Sequence, residues 1–417
     1  MEIGSRIRFY RIQQNMTQEE LSRGIISTSY LSKIENNQTT ASIEVLDFLC
    51  SRLTINLIEE EEIPLMKSLF DWYHDIVHRR QDTLKKRYEE LREKIHSTSD
   101  TTAMLYFVLF EFRYLLTERD FAEAEAKLEK ISLYKDIFEE KMTYYYEKFV
   151  GLHHYLQSKY SSALMHLKGA ERFLTKHLPF EKWEEADLYY SIALTLSQLR
   201  KAALVIQYTH FALNIYQSRY DLMRCAECQI LLGINYLRCE EYSRSEESYQ
   251  LARKIAEQLN DKSLLGMICH NMGYLSSITK KYEQAIIHYN EALKYKNKHE
   301  ALSTIFSILY AYYQLDKKEE AEKWILEGQT ILKQNPNQEY AYHFKVYASL
   351  LKGNLSAEFE FFMLEVVIPY FIEHEKQQYI IEYSELMASY FEERHKYKSA
   401  AHYYQIVCHA LKRAYSN

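Results

Sequence analysis

Two stretches of the 417-residue chain repeat each other at a constant distance of 40 positions. Each stretch begins with a glycine, places a second small residue twelve positions later, and follows it with an aromatic residue and an alanine. The matching positions are Gly233 and Gly273, Tyr242 and Tyr282, Ser245 and Ala285, Tyr249 and Tyr289, and Ala252 and Ala292. A period of this length is typical of stacked supersecondary units, each of which buries its apolar face against its neighbours.

The same frame recurs along the last three quarters of the chain, at spacings of 36–42 residues. Its first positions are Phe112, Gly151, Ala193, Gly233, Gly273, Leu309, Ala348 and Ala388. The frame resembles the tetratricopeptide pattern, in which small residues let two antiparallel helices approach closely and an aromatic side chain fills the groove between repeats. We expect eight helical hairpins, or nine if residues 65–95 add one, stacked into a right-handed superhelix with a concave inner face.

The composition excludes most architectures that contain sheets. Nine glycines and four prolines make up about 3% of the chain, whereas average usage of the two together is about 12%. Sheet proteins need both residues at their many turns. No glycine cluster matches the dinucleotide-binding or P-loop motif. The sequence therefore predicts an all-α protein.

Charge and apolar runs indicate where the protein acts. The net charge of −6 argues against binding nucleic acid over the whole surface. The longest uninterrupted apolar run, residues 103–110, has about eight residues, and a membrane span needs about 20. The first residues carry charges where a signal peptide needs an apolar stretch. We therefore expect a cytoplasmic protein without a membrane partner.

The first sixty residues contain the start and stop signals of four short helices. Thr17 and Glu20 form a capping box, in which each side chain satisfies a free backbone N–H at the start of a helix. Gly24 can end that helix in a left-handed conformation, and Ser27 and Ser42 can cap the next two helices. Two short helices joined by a tight turn inside a small bundle indicate a helix-turn-helix.

The segments MTQEEL at 16–21 and YLSKIEN at 30–36 resemble the Xre or phage-repressor type of helix-turn-helix, over about residues 3–57. The resemblance implies that the third helix enters the major groove of double-stranded DNA. The residues it implies at the DNA are Thr17, Gln18, Ser27, Thr28, Ser29, Lys33 and Asn37. Glu35 is expected to pair with Arg11 inside the fold rather than with a base.

The charge of this module predicts its oligomeric state. Residues 1–57 hold six basic and six acidic side chains, so the module is neutral. Contacts to phosphates supply much of the affinity in protein–DNA complexes. A single module should therefore bind weakly, and we expect a homodimer or higher homo-oligomer that presents two modules to two half-sites. The tyrosine-rich stretch 379–404 is a candidate oligomer surface.

The predicted organisation is thus a helix-turn-helix bundle at 1–60, a helical linker at 61–98, and a right-handed tetratricopeptide superhelix at 99–417. The acidic run 59–62 leads into the linker, which continues as a basic helical pattern. This pattern could contact DNA phosphates or pack on the next domain, but we expect it to be solvated. The loop 97–100 marks its boundary with the repeats.

The residues give no sign of metal or catalytic chemistry. Cys225, Cys228 and Cys239 fall inside a predicted helix, and no second cysteine pair completes a four-ligand zinc set. The chain has neither an HExxH motif nor a Ser/His/Asp set that sequence can assemble. We expect no metal, no cofactor and no enzyme activity.

The combination of an Xre-type helix-turn-helix with a long tetratricopeptide array resembles the peptide-pheromone quorum-sensing regulators of the Rap, NprR, PlcR and PrgX group, and its repeat number is most like the NprR branch. The resemblance implies a transcriptional regulator switched by a short signalling peptide in the concave groove. From it we carry over Arg113, Asn235 and Asn271 as peptide-binding residues. The repeat frame adds inward-facing candidates: Lys148, Tyr190, His270, Tyr274 and Tyr310.

Two other functions stay open at this point. Related arrays bind response regulators, so the chain could act as a response-regulator-binding phosphatase or inhibitor of a phosphorelay, docking through residues 65–150. Gln81 would then be the candidate for placing a water, because it is the only glutamine in the linker helix. A phage communication-peptide receptor shares the same architecture.

Overall fold

The described part of the chain consists of helices joined by turns and short loops, which confirms the all-α prediction. The structure is a computed structural model, and it describes residues 2–56, 63–78, 81–176, 178–297, 300–353 and 355–415. Within these ranges no strand forms, and no helix is long and apolar enough to cross a membrane. The chain divides into two compact units, residues 1–191 and residues 192–417.

The first unit begins with the predicted helix-turn-helix bundle. Its helices are α1 Ile3–Gln13, α2 Gln18–Ser22, α3 Thr28–Glu35 and α4 Ile43–Leu53. The Thr17 hydroxyl accepts from the backbone N–H of Glu20 at 3.1 Å, and the Glu20 carboxylate accepts from that of Thr17 at 2.7 Å. Ser27 and Ser42 cap α3 and α4. The capping predictions are therefore confirmed.

The next segment forms two helices rather than one solvated helix. They are α5 Ile63–Val77 and α6 Gln81–Ser97. Leu69, Trp72 and Tyr73 of α5 are fully buried, so the expectation of a solvated linker is wrong for this helix. Apolar residues spaced along one face explain the burial, because α5 packs against both α6 and the first repeat helix. The acidic run 59–62 and the side chain of Gln81 lie outside the described residues.

The repeats continue through both units as paired antiparallel helices. The first unit adds α7 Thr101–Glu118, α8 Phe121–Ser132, α9 Glu140–Leu156, α10 Tyr160–Leu174 and the start of α11 Lys182–Gln198, with a 3₁₀ turn at Lys135–Ile137 before α9. The second unit contains α12 Ala202–Ser218, α13 Leu222–Arg238, α14 Tyr242–Leu259, α15 Lys262–Ile278, α16 Tyr282–Leu293, α17 Ala301–Gln314, α18 Lys318–Gln334, α19 Gln338–Leu351, α20 Ala357–Phe362, α21 Ile368–Glu373, α22 Gln377–Glu393 and α23 Tyr397–Tyr415. A π turn at Met363–Val367 joins α20 to α21.

The turn inside most hairpins has the same geometry at the same place in the repeat frame. Seven of the eight frame positions are followed, seven residues later, by a non-glycine residue with φ of 53° to 61°. One left-handed residue at the end of a helix reverses the chain and satisfies its last carbonyls. These residues are Arg119, Ser158, Arg200, Glu240, Lys280, Asp316 and His395. Their regularity confirms the repeat register read from the sequence.

Glycines bring the two helices of a hairpin together. A Cβ atom built at Gly273 would lie 2.5 Å from Cδ1 of Tyr289, and one built at Gly233 would lie 2.5 Å from Cε1 of Tyr249. Both tyrosine rings are buried. The carbonyl of Gly233 also accepts a hydrogen bond from the Ser245 hydroxyl at 2.8 Å. The predicted pairing of a small residue with an aromatic ring is confirmed.

Within the first unit, α1 contacts the first repeat hairpin. The guanidinium of Arg8 lies 2.6 Å from the carboxylate of Asp136. The rings of Phe9 and Tyr134 pack with centroids 5.1 Å apart. The hydroxyl of Tyr10 reaches the loop before α7. The helix-turn-helix bundle is therefore held on the repeats through α1.

Candidate DNA-reading face and peptide cavity

The exposed face of α3 carries most of the predicted DNA-binding residues. Ser27, Thr28, Ser29 and Lys33 are all exposed. They start at the N-terminus of α3, where free backbone N–H groups favour an anion such as a phosphate. Small hydroxyl side chains next to one lysine allow close approach of a DNA backbone.

The other three predicted DNA-binding residues are also engaged within the fold. The hydroxyl of Thr17 caps α2, although the residue is exposed. The Gln18 amide donates to Glu35 at 2.7 Å, so it is not directed outward. The Asn37 amide donates to the Ser5 hydroxyl at 2.8 Å and fixes the end of α3 on α1.

Glu35 is the centre of a buried polar network that orients α2 and α3. Its side chain is fully buried, and the Arg11 guanidinium donates to both carboxylate oxygens, at 2.6 and 2.9 Å. Arg11 also donates to the carbonyl of Met16 at 2.9 Å, at the start of the turn before α2. The predicted pairing of Glu35 with Arg11 is confirmed, and it makes the recognition helix depend on this network.

The second unit contains a cavity of about 250 Å³ between α15, α17, α19 and α22. Three predicted peptide-binding residues, His270, Tyr274 and Tyr310, meet in its wall. The remaining wall is rich in aromatic and short polar side chains, and it comprises Ser277, Ile278, Tyr289, Ser303, Phe306, Ser307, Tyr340, Gln378, Tyr379 and Glu382. A concave wall of aromatic rings with converging polar groups is typical of a ligand site.

Two predicted peptide-binding residues lie in the interior instead of on an open face. Lys148 is buried beside Asp187, with 2.9 Å between its ammonium and the carboxylate. Asn235 is fully buried, and its amide donates to the carbonyl of Leu231 at 2.8 Å and accepts from Arg238 at 3.2 Å. Their expected position on the groove is therefore corrected, because both side chains make contacts to α11 in the interior: Lys148 to Asp187, and Asn235 to the Ser197 hydroxyl at 3.3 Å.

Arg113, Tyr190 and Asn271 do not line the cavity. Arg113 is half-buried in the first unit, where its guanidinium donates to the Thr117 hydroxyl at 2.5 Å. Tyr190 is half-buried in the same unit. Asn271 is half-buried on α15, next to His270. Peptide contact remains a prediction for all three.

Several residues of the cavity wall were missed by the sequence analysis. Phe306 could have been found, because it stands three positions before Leu309 just as His270 stands three positions before Gly273. Tyr379 was expected on an oligomer surface, but it lines the cavity. No feature of the sequence marked Glu382 as a wall residue, because only the packing of the helices places it beside residues from other repeats.

Two neutral imidazoles lie in and behind this wall. Burial, together with the nearby Lys296 ammonium, lowers the pKa of His270 to about 3. Burial lowers the pKa of His343 to about 3 as well, and its ring stacks on Phe306 with centroids 4.3 Å apart. The Nδ1 atom of His343 is hydrogen-bonded to the Tyr383 hydroxyl.

This burial predicts that the second unit loses stability in mild acid. A histidine whose pKa is lowered in the folded state stabilises the fold fully above its unfolded pKa, about 6.5, and loses that contribution as the pH falls. We expect His343→Gln to reduce the slope of the free energy of unfolding against pH by up to about 1.4 kcal/mol per pH unit, between about pH 6.5 and pH 5. Denaturant unfolding at a series of pH values measures it. His402→Gln, at an exposed site, is the control; an unchanged slope in His343→Gln contradicts the prediction.

The cysteines do not gather other metal ligands in the part of the chain that the structure describes. Cys225 and Cys228 lie buried on α13. Burial raises the pKa of Cys225 to about 11, which keeps its thiol protonated. In the described ranges no group of three or more His, Cys, Asp or Glu side chains is placed to hold a metal ion.

Comparison with known proteins places this architecture in a family. A family model described as helix-turn-helix matches residues 7–59. The transcriptional activator NprA of Geobacillus stearothermophilus is 42% identical over 403 residues, which cover 94% of this chain and 99% of NprA. Response regulator aspartate phosphatase A of Bacillus subtilis is 24% identical over 360 residues, covering 82% of this chain and 93% of that protein.

Solved structures of one sensor share the fold. The apo form of the quorum sensor NprR from B. thuringiensis matches with a TM-score of 0.73 at 22% identity, over 84% of this chain and 99% of that one. NprR in complex with its cognate peptide NprX matches with a TM-score of 0.60 at 24% identity, again over 84% and 99%. The extent of the match to NprA shows that the chain belongs to the family of this helix-turn-helix transcriptional activator, and the solved structures of NprR share its fold.

Proposed function

We propose that the protein is a DNA-binding transcriptional regulator whose activity is switched by a short signalling peptide bound in the cavity of the second unit. One observation carries the proposal: a single chain joins an exposed recognition helix to an aromatic cavity with converging polar groups. Two similar proteins bear names that agree with it, a transcriptional activator and a sensor solved with its cognate peptide. The chain then acts in the cytoplasm, where it reaches the chromosome.

The DNA partner is read by α3. Ser27, Thr28 and Ser29 stand at its N-terminus, where they can approach phosphates, and Lys33 supplies a positive charge one turn further on. Because the whole module is neutral, we propose that two copies act together on two half-sites, as a homodimer or a higher homo-oligomer.

Switching follows from a change in population between arrangements of the repeats. A peptide shifts such an equilibrium only by its difference in affinity for the two arrangements. Contacts of α1 with the first hairpin, through Arg8–Asp136 and Phe9–Tyr134, make the orientation of the helix-turn-helix depend on the repeats it sits on. The distance between the two copies of α3 in an oligomer then changes when the repeats change their arrangement.

The second candidate function is action on a response regulator. It is favoured by the similarity to a response regulator aspartate phosphatase, and residues 65–150 would supply the docking surface. We propose regulation by binding as the main activity, because the similarity to the transcriptional activator is 42% over 94% of this chain, whereas the similarity to the phosphatase is 24% over 82%. Loss of label from a phosphorylated response regulator at catalytic amounts of the protein would favour the second candidate instead.

Selection of random DNA duplexes by the purified protein tests the proposal. The selection is run with and without the short-peptide fraction of spent medium from the host. A palindromic duplex whose recovery depends on that fraction supports a peptide-switched regulator. No enriched duplex in either condition contradicts it.

The selected duplex then measures the contribution of Lys33. We expect Lys33→Ala to weaken binding similarly for all sequences and to lower the slope of log affinity against log salt by about 1, because one phosphate contact is lost. The matched control is Lys318→Ala, an exposed lysine at the start of α18 in the second unit. A salt slope equal to that of the wild type would show that Lys33 does not contact the backbone.

A further inference from the structure

The wall of the cavity contains a carboxylate that has no cationic partner. Glu382 of α22 lines the cavity and accepts a hydrogen bond from the Tyr347 hydroxyl at 2.6 Å. Among the described residues, no lysine, arginine or histidine forms an ion pair with it. The charge of Glu382 is therefore not neutralised by the fold.

A carboxylate that is shielded from water and has no cationic partner lowers the stability of the fold. Burial disfavours the ionised form and raises the pKa of Glu382, and the nearby Glu385 raises it further. A glutamine would accept the same hydrogen bond from Tyr347 without the cost of a buried charge. The fold itself therefore gains nothing from the charge at this position.

The rings around Glu382 favour a positive charge. Tyr274, Tyr310, Tyr340 and Tyr379 line the same cavity, from four different helices. The face of an aromatic ring attracts an ammonium or guanidinium group. Burial raises the pKa of each of these hydroxyls, that of Tyr310 to about 12, so they stay neutral and can hydrogen-bond without adding charge.

The polar edge of the wall adds acceptors suited to N–H donors. The side-chain oxygen of Gln378 lies 3.4 Å from the Tyr274 hydroxyl, and Ser303 and Ser307 also line the cavity. His270 is held neutral, so it brings no positive charge that would repel a cation. The cavity thus has one carboxyl group, aromatic faces and hydrogen-bond acceptors, and a bound cation would favour the ionised form of that carboxyl group.

We infer that this cavity binds a cationic group of the signalling peptide, an ammonium or a guanidinium, with Glu382 as its counter-charge and the four tyrosines as its aromatic walls. This inference rests on the proposed function, because it names the part of the peptide that the cavity recognises. The ammonium can come from the amino terminus or a lysine, and the guanidinium from an arginine.

Affinity selection from synthetic peptide libraries tests the inference. The probes are a random heptapeptide library with free amino termini, the same library acetylated at the amino terminus, and a library without lysine and arginine. The full-length wild type is expected to retain peptides that carry a cation, and comparison of the libraries identifies which group supplies it. Retention of only uncharged peptides would overturn the inference.

The best retained peptide is then titrated against two variants. We expect Glu382→Gln to weaken its affinity by about 30-fold or more, the loss typical when one member of a desolvated charge pair is removed. Glu385→Gln, at an exposed site three residues further along α22, should change it less than about two-fold. Equal affinities of wild type and Glu382→Gln would overturn the inference and leave the proposed function intact.

Two further results separate the possible failures. If the wild type retains no peptide from any library, the proposed function fails, and not the role of Glu382 alone. Thermal unfolding of the peptide-free variants checks the fold: Glu382→Gln should unfold at the same temperature as the wild type or higher, because it removes an uncompensated charge. A lower unfolding temperature would mean that the charge serves the fold, and it would also overturn the inference.

Discussion

Glu35→Ala is expected to abolish DNA binding while the repeats stay folded. Glu35 is buried and accepts from both Arg11 and Gln18, so its removal leaves a largely buried guanidinium without its partner. Breaking a buried ion pair from one side costs about 3–5 kcal/mol. That is a large part of the stability of a small domain, about 5–15 kcal/mol in total. Hydrogen exchange of residues 2–56 and affinity for the selected duplex measure the two effects.

Two controls keep this prediction specific. The double variant Arg11→Met/Glu35→Leu removes both charges and should recover most of the lost protection, because apolar side chains of similar volume can replace a buried pair. Arg23→Ala disturbs only an exposed pair with Glu19, 4.0 Å apart, and should change stability by less than about 1 kcal/mol. Protection of residues 2–56 in Glu35→Ala equal to the wild type would show that the network does not hold the bundle.

Gly273→Val is expected to destabilise the second unit and to close the cavity. A Cβ atom at position 273 would already lie 2.5 Å from the buried ring of Tyr289, and that ring lines the cavity. Overpacking of a tight core contact costs about 1–3 kcal/mol, and the branched side chain adds atoms beyond the Cβ. We expect the free energy of unfolding to fall by about 3 kcal/mol, at or above the upper end of this range. A lower urea midpoint, with an unchanged slope of that free energy against urea concentration, measures it.

The matched control is Gly169→Ala in α10. Its Cβ would meet only the side chain of Glu147, whose nearest oxygen at 3.1 Å would have to shift by a few tenths of an ångström. Alanine is better than glycine inside a helix by about 1 kcal/mol, so we expect a neutral or slightly stabilising effect. If Gly273→Val unfolds at the same urea concentration as Gly169→Ala, the close approach of α15 and α16 does not depend on the glycine.

The register of the repeats was predictable because it depends on contacts between residues close together in the sequence. A small residue, an aromatic ring and a left-handed turn recur within one hairpin, as at Gly273, Tyr289 and Lys280. The caps at Thr17, Ser27 and Ser42 were predictable for the same reason, since a cap involves residues only three positions apart.

The cavity could be predicted only in part, because its wall combines side chains that are distant in sequence. His270 and Tyr310 follow from the repeat frame, but Glu382 joins them only after the hairpins stack. The frame also cannot separate an open inner face from a sealed interior. Lys148 falls on an inner position and Asn235 one step off it, and both are buried.

The measurement that tests the account most directly is the affinity of the full-length protein for its selected duplex, titrated with and without the best retained peptide at saturating concentration. The account predicts that the peptide changes this affinity by about ten-fold or more, which is a coupling free energy of about 1.4 kcal/mol, and that the duplex changes the affinity for the peptide by the same factor. Identical duplex affinity with and without bound peptide would contradict a peptide-switched regulator.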